Sequence, residues 1–237
     1  VYGYLIVLEI AAVSFIFAGY ILLKLKKEPN IKSASANLQL SHFNFFIKNK
    51  ILLLLIIANM VIGLVQTIGY SYYGIFIYQN FNNILFGGFL NVAMVFLISV
   101  FTSLIGNFIT KINARVYRKF PILIFGVMML AFMPFAYFFK PNLIFITIGT
   151  IIGVIGGSVV GVTNSLLAIE LINFDLRQAY FSFTNLISIP LFLVMAPVLA
   201  YIAQAYGLSI LFLLLTVILA LVVIMLLTAL IMFNKEL

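Results

Sequence analysis

ILLLLIIANMVIGLVQTIGYSYY, residues 51 to 73, decides the fold. The stretch carries no Asp, Glu, Lys or Arg, and a bilayer core of about 30 Å takes roughly 20 apolar residues as a helix. A membrane β-strand would alternate apolar and polar side chains every second residue, and ILLLLII cannot alternate. The same absence of charge holds over residues 51 to 110, 120 to 139, 141 to 169 and 178 to 234. Each of the two long runs therefore holds two spans with an uncharged turn between them, each shorter run holds one, and Val1 to Leu23 supplies another. The expected fold class is an all-α integral membrane protein with seven transmembrane helices. Composition agrees: 65% hydrophobic and 8% charged, with a mean hydropathy of +1.29, lies far outside the soluble globular average. A net charge of +8 is here a matter of topology, not of nucleic-acid binding, because the basic residues cluster in short connectors. With no Cys in the chain, disulfides and thiolate metal sites are excluded.

The spans fall near 2–23, 51–73, 84–106, 121–139, 143–165, 182–204 and 208–233. Of the 13 Lys and Arg, Lys140 alone lies on one side of the membrane, and by the positive-inside rule the other side is cytoplasmic. Val1 is then outside and Leu237 inside. A chain that starts outside with no initiator Met is expected to be the carboxy-terminal part of a longer polypeptide. The longest connector, 24–50, mixes basic, Pro and Ser residues with an apolar patch at Leu40, Phe43, Phe46 and Ile47, as an inter-domain linker ending in an interfacial helix would. The other connectors are short, which predicts that successive helices pack as antiparallel neighbours. The organisation is one helix (1–23), a cytoplasmic linker (24–50) and a six-helix bundle (51–237).

That layout resembles the second half of a major facilitator superfamily transporter, whose two six-helix halves are joined by a long basic cytoplasmic loop. The resemblance spans nearly the whole chain, with 1–23 as the last helix of the amino-terminal half. It is carried by three segments. Gly106-Asn-Phe-Ile-Thr110-Lys111-Ile-Asn113-Ala-Arg115 is similar to the family's G-x-x-x-D-R/K-x-G-R-K/R. Thr110 replaces the Asp and Asn113 replaces the second Gly; Asn tolerates the left-handed conformation, whereas a hydroxyl cannot make the carboxylate's charge-assisted bonds. ELINFDLRQAYFSFTN, residues 170 to 185, looks like the start of the fifth helix of a half, with Arg177 and Asn185 at matching positions. Tyr206-Gly207 is similar to the turn between the last two helices. The resemblance implies a cytoplasmic gate at Gly106, Thr110, Lys111, Arg115, Glu170, Asp175 and Arg177, with Glu170 and Asp175 pairing with Lys111, Arg115 or Arg118 when that side is closed.

The residues themselves point away from catalysis: the one His is His42 in the linker, and Gly156-Gly157 lies mid-span without the Lys of a phosphate loop. No enzyme activity, cofactor or metal is expected. In the second span Asn59, Gly63, Gln66, Tyr70 and Tyr73 recur at steps of four and three, which puts them on one helix face. Since the resemblance makes this a cavity-lining helix, Asn59, Gln66, Tyr70 and Tyr73 are the leading substrate contacts. Packing glue between helices is the competing reading. Asn91 and Asn164 are further cavity candidates. Gly149, Gly153, Gly157 and Gly161 recur every four residues beside Gly156, a signature of close helix approach. Glu9, about 10 Å inside the first span at 1.5 Å per residue, is the candidate for proton coupling, because desolvation favours the protonated carboxyl.

The expected function is secondary active transport of a small solute by alternating access. The partners are that solute, protons, the bilayer, and an amino-terminal half or a second subunit, with no nucleic acid. The setting is a plasma or cytoplasmic membrane, with the carboxy terminus cytoplasmic. A half-size protein acting as a homodimer or subunit is the alternative. A seven-helix receptor or opsin fits less well: residues 208–233 contain no Lys for a retinal Schiff base, and the chain has no Trp.

Overall fold

In a computed structural model of the chain, residues 45–81, 83, 87–111, 116–139 and 142–236 are described, and the side chains at 106–111, 116–118, 175, 178, 235 and 236 stand outside that description. Two compact units divide the chain, Val1–Asn37 and Leu38–Leu237, and every described residue belongs to the second. Six long helices follow one another: α1 (Lys50–Phe81), α2 (Gly88–Lys111), α3 (Val116–Phe139), α4 (Leu143–Leu171), α5 (Phe174–Tyr206) and α6 (Leu208–Glu236). All six are long and apolar enough to cross a membrane. The span expected at 2–23 and most of the linker lie outside the described residues.

The helices outrun their apolar stretches. α1 continues to Phe81, well past residue 73, and α4 to Leu171, past 165, because a helix keeps its backbone bonds through the headgroup layer. Side chains mark the starts. Asn142 accepts from the Phe145 amide at 2.7 Å and Asn49 from the Leu52 amide at 3.1 Å, each satisfying a donor that the first helical turn leaves orphaned. α5 stops where Gly207 takes φ +89°, a conformation costly for any residue with a Cβ, and its amide closes the end on the Ala203 carbonyl at 3.1 Å. The Tyr206-Gly207 turn thus stands where the sequence puts it. Pro134, Pro190 and Pro197 all lie within unbroken helices.

Packing corrects one expectation. Successive helices are not always neighbours: among the described residues α2 packs on α4 and α1, and not on α3. The most extensive seam is α3 on α4, followed by α3 on α6, α2 on α4 and α1 on α6. Short connectors fix where the next helix starts but leave it free to lean across the bundle. The pairs have an internal order. Exchanging α1, α2 and α3 for α4, α5 and α6 maps α3·α4 onto α6·α1, α2·α4 onto α5·α1 and α1·α2 onto α4·α5, while α1·α4 and α3·α6 map onto themselves. The pairs α5·α6 and α1·α3 lack a counterpart among the described residues.

Two devices hold the bundle. At one end Tyr73, Tyr137 and Phe212 bring α1, α3 and α6 together, with Tyr73 ring centroids 4.5 Å from Tyr137 and 5.2 Å from Phe212. Along the α3/α4 seam, Gly149 faces Ala136, Gly153 faces Met133, and a Cβ on Gly156 would come within 2.6 Å of the Gly126 carbonyl and the Leu130 amide. Small residues let two backbones approach where no water drives association.

Candidate functional site

Between α1 and α5, part-way along both, lies an open cleft of about 420 Å³. Its polar lining is Asn59 and Thr67 from α1 with Thr184, Asn185 and Ser188 from α5; Met60, Leu64, Ile189, Phe192 and Leu193 make the apolar walls. Gly63 sits among them, and a Cβ there would meet nothing within 4 Å. The hydroxyls are already used: Thr67 donates to the Gly63 carbonyl at 2.8 Å, Thr184 to Tyr180 at 3.0 Å and Ser188 to Asn185 at 2.9 Å. They offer a ligand lone pairs only. The side-chain amides of Asn59 and Asn185 make no hydrogen bond among the described residues, so each keeps a donor pair and an acceptor. No charged side chain lines the cleft.

The predicted α1 stripe divides along this cleft. At 3.6 residues per turn the stripe from Asn59 to Tyr73 covers about 80° of the helix circumference, enough to straddle two neighbours. Its Gly63 edge, extended to Thr67, opens to the cleft. Its other edge turns into the bundle. Gln66 lays its amide over α4, where a Cβ on Gly157 would be 2.7 Å from the Gln66 nitrogen. Tyr73 is 3% exposed and packs in the aromatic cluster, away from the cleft. Tyr70 is 39% exposed and meets Tyr73 edge-on at 6.1 Å, outside the cleft. Asn91 stands apart from the cleft: buried, it donates to the Phe81 carbonyl at 2.9 Å and ties the start of α2 to the end of α1. Asn164 is buried and does not line the cleft.

Thr67, Thr184 and Ser188 escaped the sequence reading. Thr67 lies four residues beyond Gly63, on the same face, and was within reach of helical phase. Asn185 and Ser188 are three apart on α5, but nothing in a single sequence says which α5 face meets α1.

At the Lys50 end of the bundle, Glu170 forms an ion pair with Lys119; the side chains of Lys111, Arg115 and Arg118 lie outside the described residues. Lys119 is 4% exposed and Glu170 30%, so the cation is the partner taken from solvent. Arg177 does not join them: its Nε donates to the Ile172 carbonyl at 3.3 Å, closing the end of α4, and its guanidinium lies 5.5 Å over the Phe174 ring. A third group is apolar. Phe46, in the turn ahead of α1, is 1% exposed among Leu52, Ile56, Met60, Ala168, Ile172, Tyr180 and Phe183. Of the linker's apolar patch, Phe46 turns inward and Ile47 stays exposed, while Leu40 and Phe43 lie outside the described residues. The side chains of Gly106, Thr110, Lys111, Arg115 and Asp175, and all of Glu9, lie outside the described residues.

Among the described residues no three His, Cys, Asp or Glu gather as a metal set. No protein-family model matches the chain, and neither a curated protein nor a solved structure does.

Proposed function

We propose that this chain is part of a secondary transporter of the major facilitator type, moving a small uncharged solute by alternating access through the α1/α5 cleft. The observation that carries this reading is the helix pairing, which repeats when α1–α3 are exchanged for α4–α6. Three spans separate equivalent helices, so the two triplets cross the membrane in opposite directions. Inverted three-helix repeats of this kind are the architecture by which such transporters rock about a site near the midplane. The cleft supports the same reading: it sets polar side chains among apolar walls, sits part-way along its two helices, and contains two side-chain amides without a hydrogen bond among the described residues. In lipid those amides would be costly, so water, solute or another protein surface is expected to cover them. Without a counter-charge in the lining, an ionic solute would forfeit its hydration, which favours a neutral one.

On this proposal the Lys50 end is cytoplasmic and the outer surface of α1 and α5 faces the other half of the transporter, in the same polypeptide or in a second subunit. A homodimer of half-size chains would cover the same surface. The test is counterflow in proteoliposomes with a panel of small uncharged solutes. A transported solute should accumulate against its own preloaded pool, and Asn59→Leu or Asn185→Leu should cut that rate about tenfold, the worth of one lost hydrogen bond to the solute. Glu9→Gln should abolish any dependence on a pH gradient. A panel with no counterflow, or counterflow indifferent to both Asn variants, would count against the proposal.

A further inference from the structure

The cleft is open along α1 and α5 but filled toward the Lys50 end. There Leu52, Ile56 and Met60 of α1 meet Tyr180 and Phe183 of α5, one turn before Thr184 reaches the cleft wall. Phe46 completes the filling from outside both helices: its ring stacks on Phe183 at 5.7 Å and 23° and meets Tyr180 edge-on at 5.8 Å. Met60 belongs to both groups, lining the cleft and touching the aromatic cluster. Under it the Tyr180 hydroxyl is buried with no hydrogen-bond partner among the described residues. A native structure rarely leaves such a group unpaired, and here water entering from the Lys50 end would supply the missing partner.

We infer that Phe46, seated on Tyr180 and Phe183, is an apolar plug that closes the Lys50 end of the α1/α5 cleft, and that withdrawing the segment ahead of α1 opens it. The aromatic contacts hold the closed state and hydration of the Tyr180 hydroxyl favours the open one. Phe46 is carried by the segment leading into α1, so a pull on that segment is transmitted to the cleft. The inference rests on the cleft being the transport path, and assigns the control of one entrance to it.

Residues 1–237 contain no Cys, so with any Cys outside them replaced by Ser, Gly63→Cys is the single reporter thiol, at a position where an added Cβ meets nothing. The full-length protein is placed in sealed vesicles with the Lys50 end outward and treated with a membrane-impermeant maleimide. Phe46→Ala should speed labelling about tenfold or more, because two ring contacts leave the closed state. Phe46→Leu, which keeps most of the volume, should fall between. If Phe46→Ala fails to fold, Phe46→Leu decides, and a rise of about threefold supports the plug, being the effect of roughly one ring contact. Labelling rates equal to the unmodified plug in the folded variant overturn it. Counterflow by the chain without the reporter Cys separates the two proposals: counterflow with labelling indifferent to Phe46 sinks the plug alone, and labelling that depends on Phe46 without counterflow sinks transport alone.

Discussion

The α3/α4 seam and the α1/α5 cleft both present glycine at helical spacing and behave oppositely. In the seam Gly149, Gly153 and Gly156 bring two backbones together, and half of the most apolar stretch of α4 is buried. α5 has only 6% of its corresponding stretch buried, and Gly63 facing it touches nothing. Glycine at helical spacing therefore does not by itself mean contact. The α3/α4 pair is close-packed and leaves little room to deform; α5 has far less of its surface buried among the described residues.

Substitutions in the two regions should separate sharply. Gly156→Leu, forced against the Gly126 and Leu130 backbone, should cost about 3 kcal/mol or more, the upper range for overpacking, read as loss of folded protein in a detergent melt. Glu170→Gln comes next: it strands the buried Lys119 ammonium, and breaking a buried pair costs about 3–5 kcal/mol, reduced to about 2 because Glu170 is part-exposed. Lys119→Met should cost less, about 1 kcal/mol, since the carboxylate left behind reaches water. A reversed order would mean that Glu170 is the more buried partner. Gly157→Ala should cost under about 1 kcal/mol, because only the flexible end of Gln66 must shift, and Gln66→Ala should relieve it. Gly63→Ala should leave the melt within about 0.5 kcal/mol of the parent; a large loss there would show the cleft to be closed by packing.

Six spans and their uncharged turns were legible because charge is excluded from a bilayer, a constraint local to each helix. The small-residue stripe of α4 was legible as packing, for the same local reason, but its division between α3, Gln66 and open space was not. Neither was the fate of the α1 stripe. One face of a helix is wide enough to serve two neighbours, so Asn59 stays on the cleft while Tyr73 goes to the core. Asn91 looked like a polar residue in search of a ligand, yet the exposed carbonyls at the end of α1 were its partner. Glu170 and Lys119 are fifty-one positions apart, and basic residues crowd that end of the bundle, so spacing could not choose among them. Phe46 stood in the sequence as one member of an apolar patch, because the sequence shows that a residue is apolar without showing which apolar medium receives it.

The central claim is that the α1/α5 cleft is an aqueous path reached alternately from the two sides of the membrane. The direct measurement is labelling of Gly63→Cys by an impermeant maleimide in sealed vesicles of each orientation, with and without transported solute. Labelling from both sides is expected, with solute shifting the balance between them. Labelling from one side only, or none because the thiol faces lipid, would contradict it.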